Sequence, residues 1–439
     1  MGVTDSKPNT LMHASELVRH PTVYIYNTTP WASQLSQIFS AGAKNKQLLT
    51  EWAFGRQLST RRGKLTLFRS TDTWAASKML LYRLIHQEPQ RQTRDPAVAD
   101  LFIIPLTVEV PEFAPAVMDQ THGSLVDAAC DHLLHSDLQL AYPHLTRATA
   151  NRHLVVAAGH TILIEQCVAN NNGELYLRPP SVELLERMRW YTHDQQSLYD
   201  NAWPTAASFA PGGHFSTALI PGAALAGGMT QTTPFPSGAV TSVAGLHALR
   251  ALPSPRKVTL AFIGSVRGSG SRRAVRAALS TQCRRHGAPD CVMLPLQQDR
   301  GISDIEVAAF HLKQSSTFCA EPSGDNELRR GLADALLCGC IPVVFLDDAQ
   351  LRRLWPMHMH GWRRDAIVVL QPSLVANNRG IDGIDVVRYL KSLPAHRVER
   401  MRSTILRNAH RIAYLSDLNR TGDDAIDVAL KGFAFGLPG

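Results

Sequence analysis

The alternation of strand-like and helix-like segments along most of the chain is the feature that most constrains its fold. Apolar stripes at helical spacing predict helices at residues 73–86 and 125–134, and β-branched runs predict strands at 22–26, 99–106 and 153–158. Because strands that alternate with helices form parallel sheets, the sequence predicts an α/β fold. The 439 residues also exceed what one hydrophobic core usually serves, which predicts two domains.

The segment between residues 202 and 255 differs from the rest of the chain in its density of proline and glycine. It shows little periodicity of either kind, which is typical of a linker. The sequence therefore predicts five parts: an N-terminal tail at 1–20, an N-terminal domain at 21–201, the linker at 202–255, a C-terminal domain at 256–415 and a C-terminal tail at 416–439.

Composition excludes a chain that is disordered over most of its length. Hydrophobic residues make up 44% of the sequence and charged residues 19%, which is enough to build a core. The longest apolar runs, such as 101–106 and 341–346, are far shorter than the roughly 20 residues that span a bilayer. Residues 1–20 lack the apolar region of a signal peptide. We therefore expect neither a signal peptide nor a membrane anchor in this chain.

The balance of charges favours an anionic partner without identifying it. Lysine and arginine total 45 against 37 aspartates and glutamates, which gives a formal net charge of +8. Nucleic acid, an anionic glycan and a nucleotide sugar are all compatible with this charge.

The seven cysteines show none of the paired spacings that predict a zinc site. Cys283 and Cys291 stand eight positions apart across a polar turn, a spacing that permits a small disulfide loop. The spacing is equally compatible with two reduced thiols.

The first candidate site is a glycine-containing loop at residues 264–271, between a strand predicted at 257–263 and a predicted helix. In open α/β sheets, ligands bind beyond the carboxyl ends of the strands, where helix N-termini direct N–H groups towards anions. Gly264 is the first of three glycines that allow the backbone to approach a phosphate, and Arg267 and Arg276 supply positive charge. The loop contains neither a dinucleotide-binding fingerprint nor a P-loop, and an ordinary surface turn is the alternative interpretation.

The second candidate site follows a strand predicted at 316–320 and precedes a helix predicted at 326–338. Pro322 and Gly324 shape a tight turn there, and Asp325 is placed to cap the helix. This loop also lies beyond the carboxyl end of a strand, which makes it a second candidate for ligand binding.

Charged residues border the second loop on both sides. Glu321 can accept hydrogen bonds from the hydroxyls of a ribose or another sugar. Arg329 and Arg330 can neutralise a diphosphate, a group that calls for planar donors with several N–H groups. The alternative interpretations are a solvated helix face for both arginines and an ion pair between Arg330 and Asp334, four residues later.

A series of residues across both loops and their flanking elements matches a known pattern. They are Phe262, Ile263, Gly264, Ser265, Val266, Arg267, Arg276, Gln282, Cys283, Ser316, Thr317, Phe318, Cys319, Pro322, Gly324, Asp325, Arg329, Arg330, Asp334, Gly339, Cys340, Ile341, Pro342 and Val343. In these residues the chain resembles the exostosin family of glycosyltransferases, GT47. Residues 324–343 are most similar to its plant and algal branch, which includes xyloglucan galactosyltransferases. Weaker similarity at 24–26, 99–106 and 152–153 extends the resemblance to most of the chain.

The resemblance implies a fold of the GT-B type, in which two Rossmann-like domains face a central cleft. The N-terminal domain would bind a glycan or glycoprotein acceptor, and the C-terminal domain would hold a UDP-sugar donor. Transfer would invert the anomeric centre without a metal ion or another cofactor. The resemblance also implies the Golgi lumen or secretory pathway as the location. Nucleic acid is not an expected partner, whereas a homo-oligomer, or a hetero-oligomer with another glycosyltransferase, is.

The two loops together supply the predicted donor-binding residues: Gly264, Arg267, Arg276, Glu321, Pro322, Gly324, Asp325, Arg329 and Arg330. Sugar transfer also needs a base that deprotonates the acceptor hydroxyl. His160, which follows the strand predicted at 153–158, is the first candidate for this base, and Glu165 and Asp194 are further candidates. A structural role is the alternative for each of the three.

Two other functions are open on the sequence. The resemblance is also compatible with a catalytically inactive protein that stabilises or recruits an active glycosyltransferase, since Ser323 and Ala333 replace residue types that many family members carry. The third hypothesis is a protein that binds polyanions through its positive charge.

Overall fold

The computed structural model is a mixed α/β protein. It describes residues 19–27, 36–40, 45–60, 63–70, 75–107, 138–157, 189–192, 230–232, 234, 236–252, 255–266, 270–295, 302–323, 329–376, 383–417 and 423–435. The strands are β1 (Val23–Ile25), β2 (Arg56–Thr60), β3 (Gly63–Ser70), β4 (Leu101–Thr107), β5 (His153–Ala157), β6 (Arg189–Thr192), β7 (Thr230–Thr232), β8 (Val258–Ile263), β9 (Cys291–Leu294), β10 (Ser316–Glu321), β11 (Ile341–Phe345) and β12 (Val368–Leu370).

A helical turn at 36–40 comes first among the described helices. The α-helices after it are α1 (Lys46–Phe54), α2 (Ala76–Tyr82), α3 (Leu138–Ala141), α4 (Val243–Arg250), α5 (Gly270–His286), α6 (Ile302–Ser315), α7 (Arg330–Leu337), α8 (Asp348–Arg353), α9 (Arg363–Ala366), α10 (Pro372–Ala376), α11 (Val386–Lys391), α12 (Ala395–Asn408) and α13 (Ala425–Phe435). Residues Arg83–Gln87 form a π-helical turn.

Five strands form a parallel sheet, here called the N-terminal sheet, in the order β1-β4-β5-β6-β7. All neighbouring strands in it run parallel. Tyr24, Phe102 and His153 are in register across β1, β4 and β5, so they lie side by side on one face.

Five further strands form a second parallel sheet, here called the C-terminal sheet, in the order β12-β11-β10-β8-β9. Its neighbouring strands are all parallel as well. The chain runs from β8 outward to β9 and then returns past β8 to β10, so the direction of the connections reverses between β8 and β10. Sheets with this order are doubly wound, and they bind ligands at the point of reversal.

Most of the predicted elements that fall on described residues are confirmed. The strands predicted at 22–26, 99–106, 153–158, 257–263 and 316–320 correspond to β1, β4, β5, β8 and β10, and the helices predicted at 73–86 and 326–338 overlap α2 and α7. Strand β9 is an element that the sequence did not predict. The helix predicted at 125–134 and most of the segment 202–255 lie outside the described residues.

Burial on both faces explains why the strands of the C-terminal sheet are so apolar. All five residues of β11 are buried, and Leu260 and Phe262 of β8 are fully buried. Parallel strands covered by helices on both faces need apolar side chains on both faces. Leu58 of β2 joins the same core, and the β2–β3 hairpin packs against α6.

Helix α13 packs against the N-terminal sheet, although it follows the C-terminal sheet in the sequence. Its first nine residues are all buried, and they share a core with α2 and strands β1, β4 and β5. Arg83 pairs with Asp424 at 2.6 Å and Arg91 pairs with Asp427 at 2.7 Å, all with buried side chains. The segment predicted as a C-terminal tail at 416–439 thus contains a buried helix, while the domain boundaries themselves stay a prediction.

The longest described helix, α5, has 17 residues. None of the helices in the described ranges combines the length and the apolar character that a membrane crossing requires.

Disulfide bonds involve four of the cysteines in the described part of the chain. Cys283 joins Cys291, so the disulfide alternative at that spacing is confirmed. A second disulfide, which the sequence did not predict, joins Cys319 in β10 to Cys340 just before β11. Cys338 is free and buried, and burial raises the pKa of its thiol to about 12. Such a thiol carries almost no thiolate at neutral pH and is therefore unreactive.

Candidate functional site

The two loops predicted to bind a ligand lie next to each other in the fold. Strands β8 and β10 are hydrogen-bonded neighbours, with Leu260 opposite Phe318 and Phe262 opposite Ala320. The carboxyl ends of both strands therefore meet at the same edge of the C-terminal sheet, at the point where the order of the connections reverses. This is the position at which doubly wound sheets bind their ligands.

Gly264 directly follows β8 and has a backbone conformation that favours glycine. Its φ is 154°, and its N–H donates a hydrogen bond to the Leu294 carbonyl at 3.1 Å. A Cβ at this position would lie 3.5 Å from the Phe262 ring, so the strain comes from the backbone rather than from crowding. The first loop thus leaves the sheet in a direction that few other residues allow.

Arg276 lies between the two loops. Its side chain is buried, and it extends from α5 towards the end of the sheet. The Nη1 group donates to the Ser265 carbonyl at 3.1 Å, while Nε and Nη2 donate to the Ser323 carbonyl at 3.2 and 3.0 Å. Ser265 belongs to the first loop and Ser323 to the second, so one guanidinium contacts both.

Glu321 ends β10 and is buried in an ion pair. Its Oε1 contacts the Lys313 ammonium, which extends from α6 and also donates to the Gly331 carbonyl at 2.7 Å. A Cβ on Gly331 would overlap the other carboxylate oxygen of Glu321, so α7 can approach this closely only with glycine at that position. The carboxylate is therefore fixed by Lys313 and Gly331.

Arg329 occupies the junction between the second loop and α7. Its backbone is extended, with φ −139° and ψ 149°, and the helix begins at the next residue. Its Nη1 donates to the Pro322 carbonyl at 2.9 Å. The guanidinium therefore lies beside the start of the second loop, where a bound diphosphate is expected.

Arg330 takes part in an ion-pair network with neighbouring helices. Its Nη2 is 3.2 Å from Glu306 of α6, and its Nε is 3.8 Å from Asp334, four residues later. The alternative interpretation of Arg330 as a partner of Asp334 is thus confirmed. Asp334 also accepts a hydrogen bond from the Ser237 hydroxyl, which connects this network to the predicted linker.

Several predicted site residues fall outside the described part of the chain. They are His160, Glu165, Asp194, Arg267, Gly324 and Asp325. Their roles stay predictions.

Helix α6 contributes residues that the sequence analysis missed. Glu306 and Lys313 are seven residues apart, which places them on the same face of the helix, and they contact Arg330 and Glu321 respectively. The detectable signal is this charged pair at helical spacing in a segment that also contains the buried residues Val307 and Phe310.

The described residues also include one group with the geometry of a metal site, away from these loops. His20, Asp423 and Asp427 place one possible ligand atom each within 4.8 Å of one another. Lys431 already pairs with Asp423 at 2.8 Å and Arg91 with Asp427 at 2.7 Å. These two cations neutralise the carboxylates, so the group does not require a metal ion.

Comparison with known families and proteins extends these observations. The family described as the exostosin GT47 domain matches residues 18–379, well over half of the chain. Two relatives from Arabidopsis thaliana are named as probable xyloglucan galactosyltransferases. GT15 is 28% identical over 184 residues, which cover 40% of this chain and 37% of that protein. GT19 is 21% identical over 387 residues, which cover 84% of this chain and 80% of that protein.

A third relative from the same plant is named as a xyloglucan-specific galacturonosyltransferase. It is 30% identical over 155 residues, which cover 35% of this chain and 22% of that protein. The chain therefore spans well under half the length of GT15 and of this third relative, but most of the length of GT19.

Proposed function

Because the chain belongs to the exostosin GT47 family of glycosyltransferases, we propose that it transfers a sugar from a UDP-sugar to a glycan or glycoprotein acceptor. The observation that carries this proposal is the meeting of the two loops where the strand order of the C-terminal sheet reverses. The match to the family extends over both loops and both sheets.

The proposed arrangement of the enzyme is of the GT-B type, with two Rossmann-like domains facing a cleft. The C-terminal sheet would hold the nucleotide sugar at its carboxyl edge, and the N-terminal sheet would belong to the acceptor side. The two parallel five-stranded sheets support this arrangement.

The proposed reaction is a single displacement at the anomeric carbon. A base takes the proton of the acceptor hydroxyl, the acceptor oxygen forms the new bond to the anomeric carbon, and UDP leaves with the electrons of the bond that breaks. His160, Glu165 and Asp194 are the proposed candidates for the base. This displacement inverts the anomeric centre.

Arginine side chains are the proposed substitute for a metal ion at the departing diphosphate. Arg329 is the described residue that we assign to this role, because its guanidinium lies beside Pro322 at the mouth of the second loop. Arg267, in the first loop, is its proposed counterpart. A planar guanidinium offers several N–H groups to phosphate oxygens and carries its charge at every physiological pH.

Nucleotide binding in the absence of metal tests the proposed donor. We expect UDP and UDP-sugars to raise the melting temperature in the presence of EDTA, whereas ADP and GDP do so less. A ligand at 100 times its Kd adds about 2.7 kcal/mol to the free energy of unfolding. A chain that no nucleotide stabilises would contradict the proposal.

The substitution Arg329→Ala tests the assigned cation. Loss of a charge-assisted hydrogen bond costs about 1.5–3 kcal/mol, which corresponds to a tenfold to hundredfold weaker Kd for UDP. The free energy of unfolding should change much less, because Arg329 lies at a helix end. Arg364→Ala is the matched control, since Arg364 and its partner Asp348 are both highly exposed, and it should leave the Kd unchanged. Equal losses of binding and stability for Arg329→Ala would mark that arginine as structural.

A catalytically inactive partner of another glycosyltransferase is the second candidate function. The observation that favours it is the use of Arg276 and Arg330 in contacts within the protein, which leaves fewer cations for a diphosphate. UDP-sugar hydrolysis separates the two candidates. Stabilisation by UDP without hydrolysis or transfer of any UDP-sugar would favour the inactive partner.

The proposed location is the secretory pathway. The disulfides Cys283–Cys291 and Cys319–Cys340 support this proposal, because disulfides form and persist in oxidising compartments.

A further inference from the structure

We propose that Arg276 sets the spacing of the two donor loops, and that it is a positioning residue rather than a ligand of the diphosphate. This inference rests on the proposed function, because it assigns a role within the same site. It replaces the expectation that the charge of Arg276 acts directly on the donor.

The hydrogen bonds of Arg276 carry the inference. All three of its guanidinium nitrogens donate to backbone carbonyls, Nη1 to Ser265 and both Nε and Nη2 to Ser323. The five N–H groups of a guanidinium point in fixed directions within one plane. A single rigid group that donates to both loops therefore fixes the distance between them.

The burial of Arg276 distinguishes it from an exposed arginine that binds a ligand. Only 7% of the residue is exposed, and its donors face carbonyl oxygens of the chain itself. Three of its five N–H groups already donate to these carbonyls, so a diphosphate that took their place would release both loops. Arg276 therefore holds the two loops in positions where their backbone N–H groups can bind the phosphates.

Planarity of the peptide bond extends the effect of Arg276 to the donor side of the first loop. In a trans peptide, the carbonyl oxygen of one residue and the N–H of the next point in opposite directions. The Ser265 carbonyl points to Arg276, so the N–H of Val266 points away from it. Arg276 thereby orients a backbone donor of the kind that binds phosphate oxygens.

Arg256 provides a natural control at the other edge of the same sheet. It also donates to three backbone carbonyls, at Lys313, Ser316 and Cys338, with distances of 2.9, 3.0 and 3.0 Å. These carbonyls lie near the amino ends of β10 and β11, opposite to the candidate site. The two arginines make similar contacts, but only Arg276 contacts the donor loops.

The experiment compares Arg276→Lys, Arg276→Gln and Arg256→Lys in the full chain. Lysine retains the positive charge but has no planar set of donors that can reach both loops. If Arg276 positions the loops, Arg276→Lys should weaken UDP binding at least tenfold, nearly as much as Arg276→Gln. Arg256→Lys should reduce stability to a similar extent and leave the Kd for UDP within twofold of the wild type.

Hydrogen exchange in the absence of any ligand gives the second readout. Amide exchange at residues 264–266 and at Glu321 and Ser323 should become at least tenfold faster in Arg276→Lys and stay unchanged in Arg256→Lys. If Arg276→Gln does not fold, Arg276→Lys alone provides both measurements.

Two outcomes would overturn the inference. The first is an Arg276→Lys variant that binds UDP as tightly as the wild type, which would mean that charge alone matters. The second is loop exchange that is unchanged in Arg276→Lys. A wild-type protein that binds no nucleotide would instead refute the proposed function, while the exchange measurement would still test the role of Arg276.

Discussion

The two parallel sheets have the same number of strands, but buried charged groups stabilise them over very different sequence distances. In the N-terminal sheet, Arg83 and Asp424 pair across 341 residues. In the C-terminal sheet, Lys313 and Glu321 are 8 residues apart, and Arg276 reaches Ser323 across 47. The candidate site at the C-terminal sheet is therefore built from segments that lie close together in the sequence. The N-terminal sheet depends on α13, which follows the C-terminal sheet in the sequence.

The largest effect is expected from breaking the long-range pair. Arg83→Met leaves the buried Asp424 carboxylate without its cation, and such a loss costs about 3–5 kcal/mol. Urea unfolding monitored by circular dichroism measures this change. The double variant Arg83→Met/Asp424→Leu should be less destabilised than the sum of its single changes, because the unpaired charge is gone. A single variant that loses under about 1 kcal/mol would show that α13 does not depend on this pair.

A glycine in each region allows a direct comparison of packing. A Cβ on Gly331 would overlap the Glu321 carboxylate, which Lys313 holds in place, whereas a Cβ on Gly432 of α13 would overlap the side chain of Met357. Methionine has three rotatable bonds and can adjust, but the ion-paired carboxylate cannot. We expect Gly331→Ala to cost about 2 kcal/mol and Gly432→Ala about 1 kcal/mol or less, measured by urea unfolding. A larger loss of stability for Gly432→Ala than for Gly331→Ala would contradict the view that the Lys313–Glu321 pair is more rigid than the Met357 side chain.

The smallest effect concerns the pH dependence of the N-terminal sheet. Burial lowers the pKa of His153 to about 4, and the ring stacks on Phe102 and hydrogen-bonds to the Tyr26 hydroxyl at 2.9 Å. Because the Thr149 carbonyl can only accept, Nδ1 carries the proton and Nε2 accepts from Tyr26. The folded protein therefore holds this histidine neutral.

The unfolded chain binds a proton at His153 near pH 6.5, well before the folded protein does. Stability should therefore fall as the pH falls from about 6.5 towards 4, and the loss from this residue between pH 7 and 5.5 is about 1 kcal/mol. His153→Gln removes the titrating group and should flatten this part of the stability curve. Parallel curves for the two proteins would contradict the assignment of a neutral, buried imidazole.

Local periodicity accounts for how much of the C-terminal sheet could be predicted. Strand β11 is a continuous apolar run, β8 is apolar apart from Thr259, and β10 has an apolar centre at 318–320. Helix α7 has an apolar stripe at helical spacing, so each element is visible in its own segment. The positions of both loops follow from these elements. Strand β9 was missed because it has only four residues, directly after a turn with a proline.

Helix α13 was missed for a different physical reason. Its first nine residues are all buried, so they lack the alternation of apolar and polar positions by which amphipathic helices are recognised. Two of its buried residues, Asp427 and Lys431, are charged, which makes the segment look like an exposed tail. Asp427 can be buried because Arg91, 336 residues away in the sequence, compensates its charge, while Lys431 pairs with Asp423 only 8 residues earlier.

The role of Arg276 could not be predicted from its residue type. An arginine near a glycine-containing loop suits a phosphate and a set of backbone carbonyls equally well. The choice depends on where the carbonyls of Ser265 and Ser323 point, and that direction follows from the fold rather than from any local pattern.

The return of α13 to the N-terminal sheet also has a consequence for biosynthesis. Strands β1, β4 and β5 leave the ribosome long before α13 is translated, so the part of their apolar core that α13 completes stays open while the C-terminal sheet is being made. A nascent chain in this condition offers a surface for chaperones until α13 emerges. A sequence change directly after Phe435 would lie next to the helix that completes this core.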